Sequence, residues 1–125
     1  MTRLGDERAA ILAALVNAGI RTATTGKLAP PCVLVEPGDP WSEPRRLGSS
    51  SGVGRLSRWR LTAIALAADK DGAYDELADL VDRVDVAVRT LQGAELPSWA
   101  RPMNQSPAEA RASFATVATI QFASR

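Results

Sequence analysis

The sequence predicts an α+β domain: a mostly antiparallel sheet of about four strands, an N-terminal helix and one long helix packed on it, and a long extended arm between the first two strands. An apolar stripe at helical spacing runs between Asp71 and Gly93. Two segments, 57–67 and 112–123, alternate with period two, and the elements follow in the order helix, strand, arm, strand, helix, short strand, strand. At 125 residues the chain reads as one domain, residues 1–125, with a flexible arm at 37–57.

In the long helix, Tyr74, Leu77, Val81, Val84, Val88 and Leu91 recur at steps of three and four, and Leu80 and Ala87 widen the stripe. The opposite face carries Asp75, Glu76, Asp79, Asp82, Arg83 and Arg89 as solvated residues. Asp71 is placed to cap the start, Gly93 to supply a left-handed exit, and Pro97 lies beyond. Three heptads without continuation favour a helix lying on a sheet over a coiled coil.

Taken in chain order, Leu4–Ala18 is the first helix, with Leu4, Ile11, Leu12, Leu15 and Val16 on its apolar side, Asp6, Glu7 and Arg8 in its early turns and Gly19 at its end. Thr22–Leu28 is a loop or a frayed strand. Pro30 and Pro31 force extended backbone into the short strand Cys32–Glu36, closed by Pro37. From 37 to 57 the prolines, glycines and serines leave no room for a regular element. Ser57–Ala67 is the longest strand, and its apolar C-terminal half suits a central position. A short edge strand is expected around Trp99–Asn104. In the closing strand Ala112–Ala123, Phe114, Ala118, Ile120 and Phe122 face one way, and the strand pairs with Ser57–Ala67.

Composition narrows the chemistry. Fifteen basic and fourteen acidic residues leave a net charge of +1, which points to neither nucleic acid nor membrane. The chain contains no histidine, the commonest general base and metal ligand, and its single cysteine, Cys32, excludes an intrachain disulfide and fits a reducing compartment. Residues 1–19 lack the apolar core of a signal peptide, and no stretch approaches the ~20 apolar residues of a membrane span. The expectation is a soluble intracellular protein, or one released by a route other than secretion.

The near-neutral total conceals two opposed regions. Between Pro37 and Arg60, Arg45, Arg46, Arg55, Arg58 and Arg60 face only Asp39 and Glu43, a net +3; between Asp69 and Gln92, seven acidic residues face Lys70, Arg83 and Arg89, a net −4. Gly48–Arg55 looks superficially like a phosphate-binding loop, but Arg55-Leu56 stands where that loop needs lysine and a hydroxyl residue, so the stretch reads as a linker. Asp75, Asp79, Asp82 and Asp85 have no partner motif that would make them metal ligands or an acid–base pair, and read as a solvated helix face. The arginines with Trp41 and Trp59 fit a nucleic-acid patch or, equally, a protein interface. Nothing in the sequence supports an enzyme, and no cofactor or metal is expected. The candidate interface residues are Trp41, Arg45, Arg46, Arg55 and Arg58 on the arm side and Asp75, Asp79 and Asp82 on the helix.

The assembled pattern joins a leading helix, Pro-Cys-Val-Leu-Val-Glu-Pro at 31–37 and a long polar arm to Trp-Arg-Leu-Thr-Ala-Ile-Ala-Leu-Ala at 59–67. Asp71, the helix carrying Ala-Asp-Leu-Val-Asp-Arg-Val at 78–84, and a strand closing on Gln-Phe-Ala at 121–123 complete it. This pattern resembles the tail terminator proteins of long-tailed bacteriophages and the related minor tail and head–tail joining proteins. The resemblance implies an α+β subunit that forms a homohexameric ring, caps the finished tail tube and offers a surface to the head–tail connector or neck protein. It implies no catalytic residues, no membrane and no direct nucleic-acid contact, and a location in the virion tail or neck after assembly in the host cytoplasm. The alternatives are another neck, connector or tail-completion protein, and a small nucleic-acid-binding protein that uses the basic arm.

Overall fold

The computed structural model describes residues 2–23, 31–46, 53–66, 69–91, 94–105 and 113–124. The elements are α1 (Arg3–Asn17), β1 (Thr22–Ala23), β2 (Cys32–Arg46), β3 (Val53–Ile64), α2 (Lys70–Val88), β4 (Ser98–Trp99), β5 (Met103–Gln105) and β6 (Ser113–Ser124). The fold is α+β, with an N-terminal helix, one long helix and a mixed sheet.

The long helix starts two residues earlier than its acidic residues suggest. Asp69, not Asp71, is the cap: its backbone is extended and its carboxylate accepts the Gly72 N–H at 2.8 Å. Ala73, Leu77, Leu80, Val84, Ala87 and Val88 are buried, while Tyr74, Val81 and Leu91 are half-buried at the margins of the stripe. The helix ends at Val88, and Gly93 lies outside the described residues. In α1, Thr2 caps the start, Ile11 and Leu15 are buried, and Val16, expected on the apolar side, is instead 59% exposed. Gly19 takes φ 77°, the left-handed exit expected of it. Arg83, expected to be merely solvated, donates to the Ala18 and Gly19 carbonyls at 3.3 and 3.1 Å, so α2 satisfies the open end of α1.

Among the described residues six strands occupy five positions in the order β1-β2-β3-β6, with β4 and β5 sharing the outer side of β6. Only β1 and β2 pair in parallel. As expected, β3 and the closing strand pair, from Arg55↔Ser124 to Ile64↔Ala115. One face of the sheet presents Val33, Val35, Trp59, Leu61, Ala63, Ile120 and Phe122 to the buried sides of α1 and α2, which is the core. On the other face Cys32, Ile64 and Ala115 form a small cluster with Ala23, so Cys32 is the buried apolar group its strand context predicts. Segment 94–105 follows β6 in pieces: a bridge Ala94↔Phe122, then β4, then β5. Pro97 and Pro102 separate the pieces, as residues without an N–H must.

The arm is the main correction. Outside 47–52, which are not among the described residues, segment 37–57 belongs to β2 and β3, two strands of one antiparallel ladder that reaches Arg46↔Val53. Local composition argues against a strand there, but pairing supplies the backbone hydrogen bonds that the residues themselves do not specify. The disruption is confined to a bulge. Pro37 faces Trp59 and Ser42 faces Ser57, so residues 38–41 stand opposite Arg58 alone. Gly38 packs so closely there that a Cβ would sit 2.8 Å from Arg58 Cβ and 2.9 Å from its carbonyl oxygen.

Candidate assembly surfaces

The residues singled out in the sequence fall on three separate surfaces. The first is the end of the β2–β3 hairpin. At its base lies a polar cluster built around Glu7, whose side chain is 11% exposed. Glu7 Oε1 accepts from Ser57 Oγ at 2.6 Å and Trp59 Nε1 at 3.0 Å, and Glu7 Oε2 accepts from Arg3 at 3.1 Å. Arg3 and Arg55 both donate to Ser42 Oγ, at 3.2 and 2.9 Å. Trp41, 41% exposed, sits on the bulge with its ring edge-on to Trp59 at a centroid distance of 5.5 Å. The first turn of α1 therefore grips the ladder at the Ser42–Ser57 pair. Four further residue pairs, Glu43↔Leu56 to Arg46↔Val53, carry the hairpin on by ~13 Å at the usual strand rise. Arg45, Arg46 and Arg55 lie on this end, and the sequence places no acidic residue between 44 and 57.

The second surface is the outer side of α2. Asp75, Asp79 and Asp82 are exposed there, as expected, and Asp79 makes an i,i+4 ion pair with Arg83 at 3.8 Å. Asp85, grouped with them by sequence, turns inward instead and accepts the Trp99 indole N–H at 3.0 Å. Each helix is thus tied to the sheet by one indole–carboxylate bond, Trp59 to Glu7 and Trp99 to Asp85.

The third surface, which sequence reasoning missed, is on the sheet face away from the helices. A row of side chains crosses four neighbouring segments. Glu43 accepts from Arg58 at 2.6 Å, Arg58 Nε donates to Gln121 at 2.9 Å, and Gln121 donates to Glu95 at 3.3 Å. Arg58, an expected interface residue, is held within this row at the border of an open surface, and its buried Nη1 has no hydrogen-bond partner among the described residues. The row borders an open trough of about 720 Å³, walled by Asp39 of the bulge and by Glu95, Leu96 and Ser98 of the edge segment, with Val117 and Thr119 also lining it. The only available signal was that Arg58 and Gln121 fall on the same side of two strands expected to pair; their register was not readable.

No protein-family model matches this chain, and no curated protein sequence matches it. Among the described residues no group of three or more cysteine or carboxylate side chains is arranged to hold a metal ion, and no helix is long and apolar enough to cross a membrane. The three surfaces carry hydrogen-bonded charge and, at Trp41, exposed aromatic area.

Proposed function

We propose that this protein is a tail terminator of a long-tailed bacteriophage, a structural subunit that closes into a homohexameric ring on the finished tail tube. The ring covers the last layer of tube subunits, blocks further addition and presents its far side to the head–tail connector or neck protein. The observation that carries this reading, beside the resemblance in element order, is the hairpin end. It is a basic extension of the ladder beyond the Ser42–Ser57 pair, on a subunit whose α2 and open sheet face both carry exposed carboxylates. A ring of identical head-to-tail contacts needs two different, complementary patches on each subunit, and a basic extension with acidic surfaces elsewhere on the molecule meets that need. Trp41 at the bulge supplies the kind of aromatic contact on which interfaces depend. Arg58, tied to Glu43 and Gln121, is withdrawn from the set that a nucleic-acid reading would use.

Native mass spectrometry and negative-stain microscopy test the proposal. A six-membered ring is expected in solution or on tube ends, with slower hydrogen exchange in 37–57 after assembly. A chain that stays monomeric in the presence of tubes overturns it. Binding to the connector without binding to tubes moves the assignment to a neck protein, and steeply salt-dependent DNA binding moves it to the nucleic-acid reading.

A further inference from the structure

We infer that the trough on the open sheet face is the socket for the hairpin end of a second copy of this chain. The inference rests on the ring reading and names the pair of surfaces that close the ring. The trough is concave and its charge is unbalanced. Arg58 is neutralised by Glu43 at 2.6 Å, while Asp39 and Glu95 make no ion pair among the described residues. What remains is two carboxylates on opposite walls, beside Leu96, which is 55% exposed. Arg58 Nη1, buried on the same wall, adds a donor without an acceptor among the described residues.

The matching occupant brings cations, some apolar surface and backbone acceptors. The paired end of the hairpin, 44–46 with 53–55, carries Arg45, Arg46 and Arg55 with no acidic residue, and Val53 among them. The hairpin cannot fill the trough of its own subunit. Both belong to the same sheet, and the ladder directs the hairpin end onward from the Ser42–Ser57 pair along the strands. Only another copy fits, and the contact is heterologous, as ring closure requires. The outer face of α2 is the weaker socket: it is the convex surface of a helix, and Asp79 there already has Arg83 as a partner.

The experiment is a charge exchange between two forms of the full chain. One carries Asp39→Lys and Glu95→Lys; the other carries Arg45→Glu and Arg46→Glu. All four positions are on the surface or at the hairpin end, and a thermal melt of each form checks folding, with Glu95→Lys alone as the fallback variant. The wild type is expected to form rings by native mass spectrometry and each reversed form alone to lose them. An equimolar mixture is expected to recover rings containing equal numbers of the two forms, because each reversed hairpin then meets a reversed trough. Rings formed by the Asp39→Lys, Glu95→Lys chain alone, or a mixture that stays monomeric, overturn the socket while leaving the ring standing. Loss of rings in an Asp75→Lys, Asp79→Lys, Asp82→Lys chain, with the trough variants unaffected, assigns the contact to α2 instead. A wild type that never forms rings overturns both readings.

Discussion

Replacing Glu7 with alanine should be among the most damaging changes on α1, although it removes a charged residue from the first turns of a surface helix. The carboxylate is the only acceptor among the described residues for the Trp59 indole N–H, at 3.0 Å, and the tryptophan is 1% exposed. It also accepts from the buried Ser57 hydroxyl at 2.6 Å and pairs with Arg3 at 3.1 Å. A buried donor stripped of its partner costs about 1–3 kcal/mol, and bonds to charged acceptors sit at the upper end. The guanidinium of Arg3 donates to Ser57 Oγ at 3.2 Å and offers no acceptor, so the Ser57 O–H loses its partner along with the indole N–H. The expected loss is roughly 2–4 kcal/mol, with the parts not strictly additive because all three donors meet one group. Glu7→Gln, which keeps an acceptor but not the charge, should fall between wild type and alanine. The assay is urea denaturation followed by far-ultraviolet circular dichroism, which is insensitive to the altered environment of the indole. In a double-mutant cycle with Trp59→Phe, a coupling of about 1 kcal/mol or more is expected. An alanine variant within about 0.5 kcal/mol of wild type, the range of ordinary surface substitutions, would refute the reasoning.

Leu77→Ala should destabilise the subunit by about 2–5 kcal/mol, and Val84→Asp should be at least as severe because it buries an unpaired carboxylate; an unshifted melting curve for Val84→Asp would show the buried side of α2 to be misassigned. Gly38→Ala, whose new methyl group meets the Arg58 backbone, should cost about 1–3 kcal/mol through displacement of the bulge, and equal chemical-denaturation midpoints would show that the strand yields freely. Melts recorded with chelator, magnesium or nucleotide should superimpose on the melt without additive, given a chain with no histidine and one cysteine; a reproducible upward shift with magnesium or nucleotide, or a downward shift with chelator, would mean that the native state binds that ligand.

What could be read from the sequence was what repeats with a short period. Both helices, the strand through Trp59 and Leu61, and the closing strand through Ile120 and Phe122 declare themselves because each carries its own apolar pattern. The hairpin beyond Pro37 does not, because Pro44, Gly54 and their neighbours are held in strands by partners on the facing strand. The sequence does not choose between Asp69 and Asp71 as the cap, because the two flank Lys70 symmetrically and only the backbone angles select Asp69. Glu7 could have been found. With Leu4, Ile11 and Leu15 it completes a three-and-four spacing along the inner side of α1, and a carboxylate at such a position implies a buried donor opposite it. The trough was out of reach, since Asp39, Arg58, Glu95 and Gln121 come from four segments whose register only the folded sheet defines.

The arrangement of the three tryptophans gives the molecule an optical handle that needs no label. Trp59 and Trp99 are each bonded to a helix carboxylate, and Trp59 is shielded from solvent, while Trp41 stands partly in water at 5.5 Å from Trp59. A collisional quencher such as acrylamide should therefore act mainly on Trp41, and the close pair should exchange excitation energy readily. Emission that blue-shifts and loses quencher sensitivity as subunits associate would report on the bulge itself, in real time and at the concentrations where assembly begins.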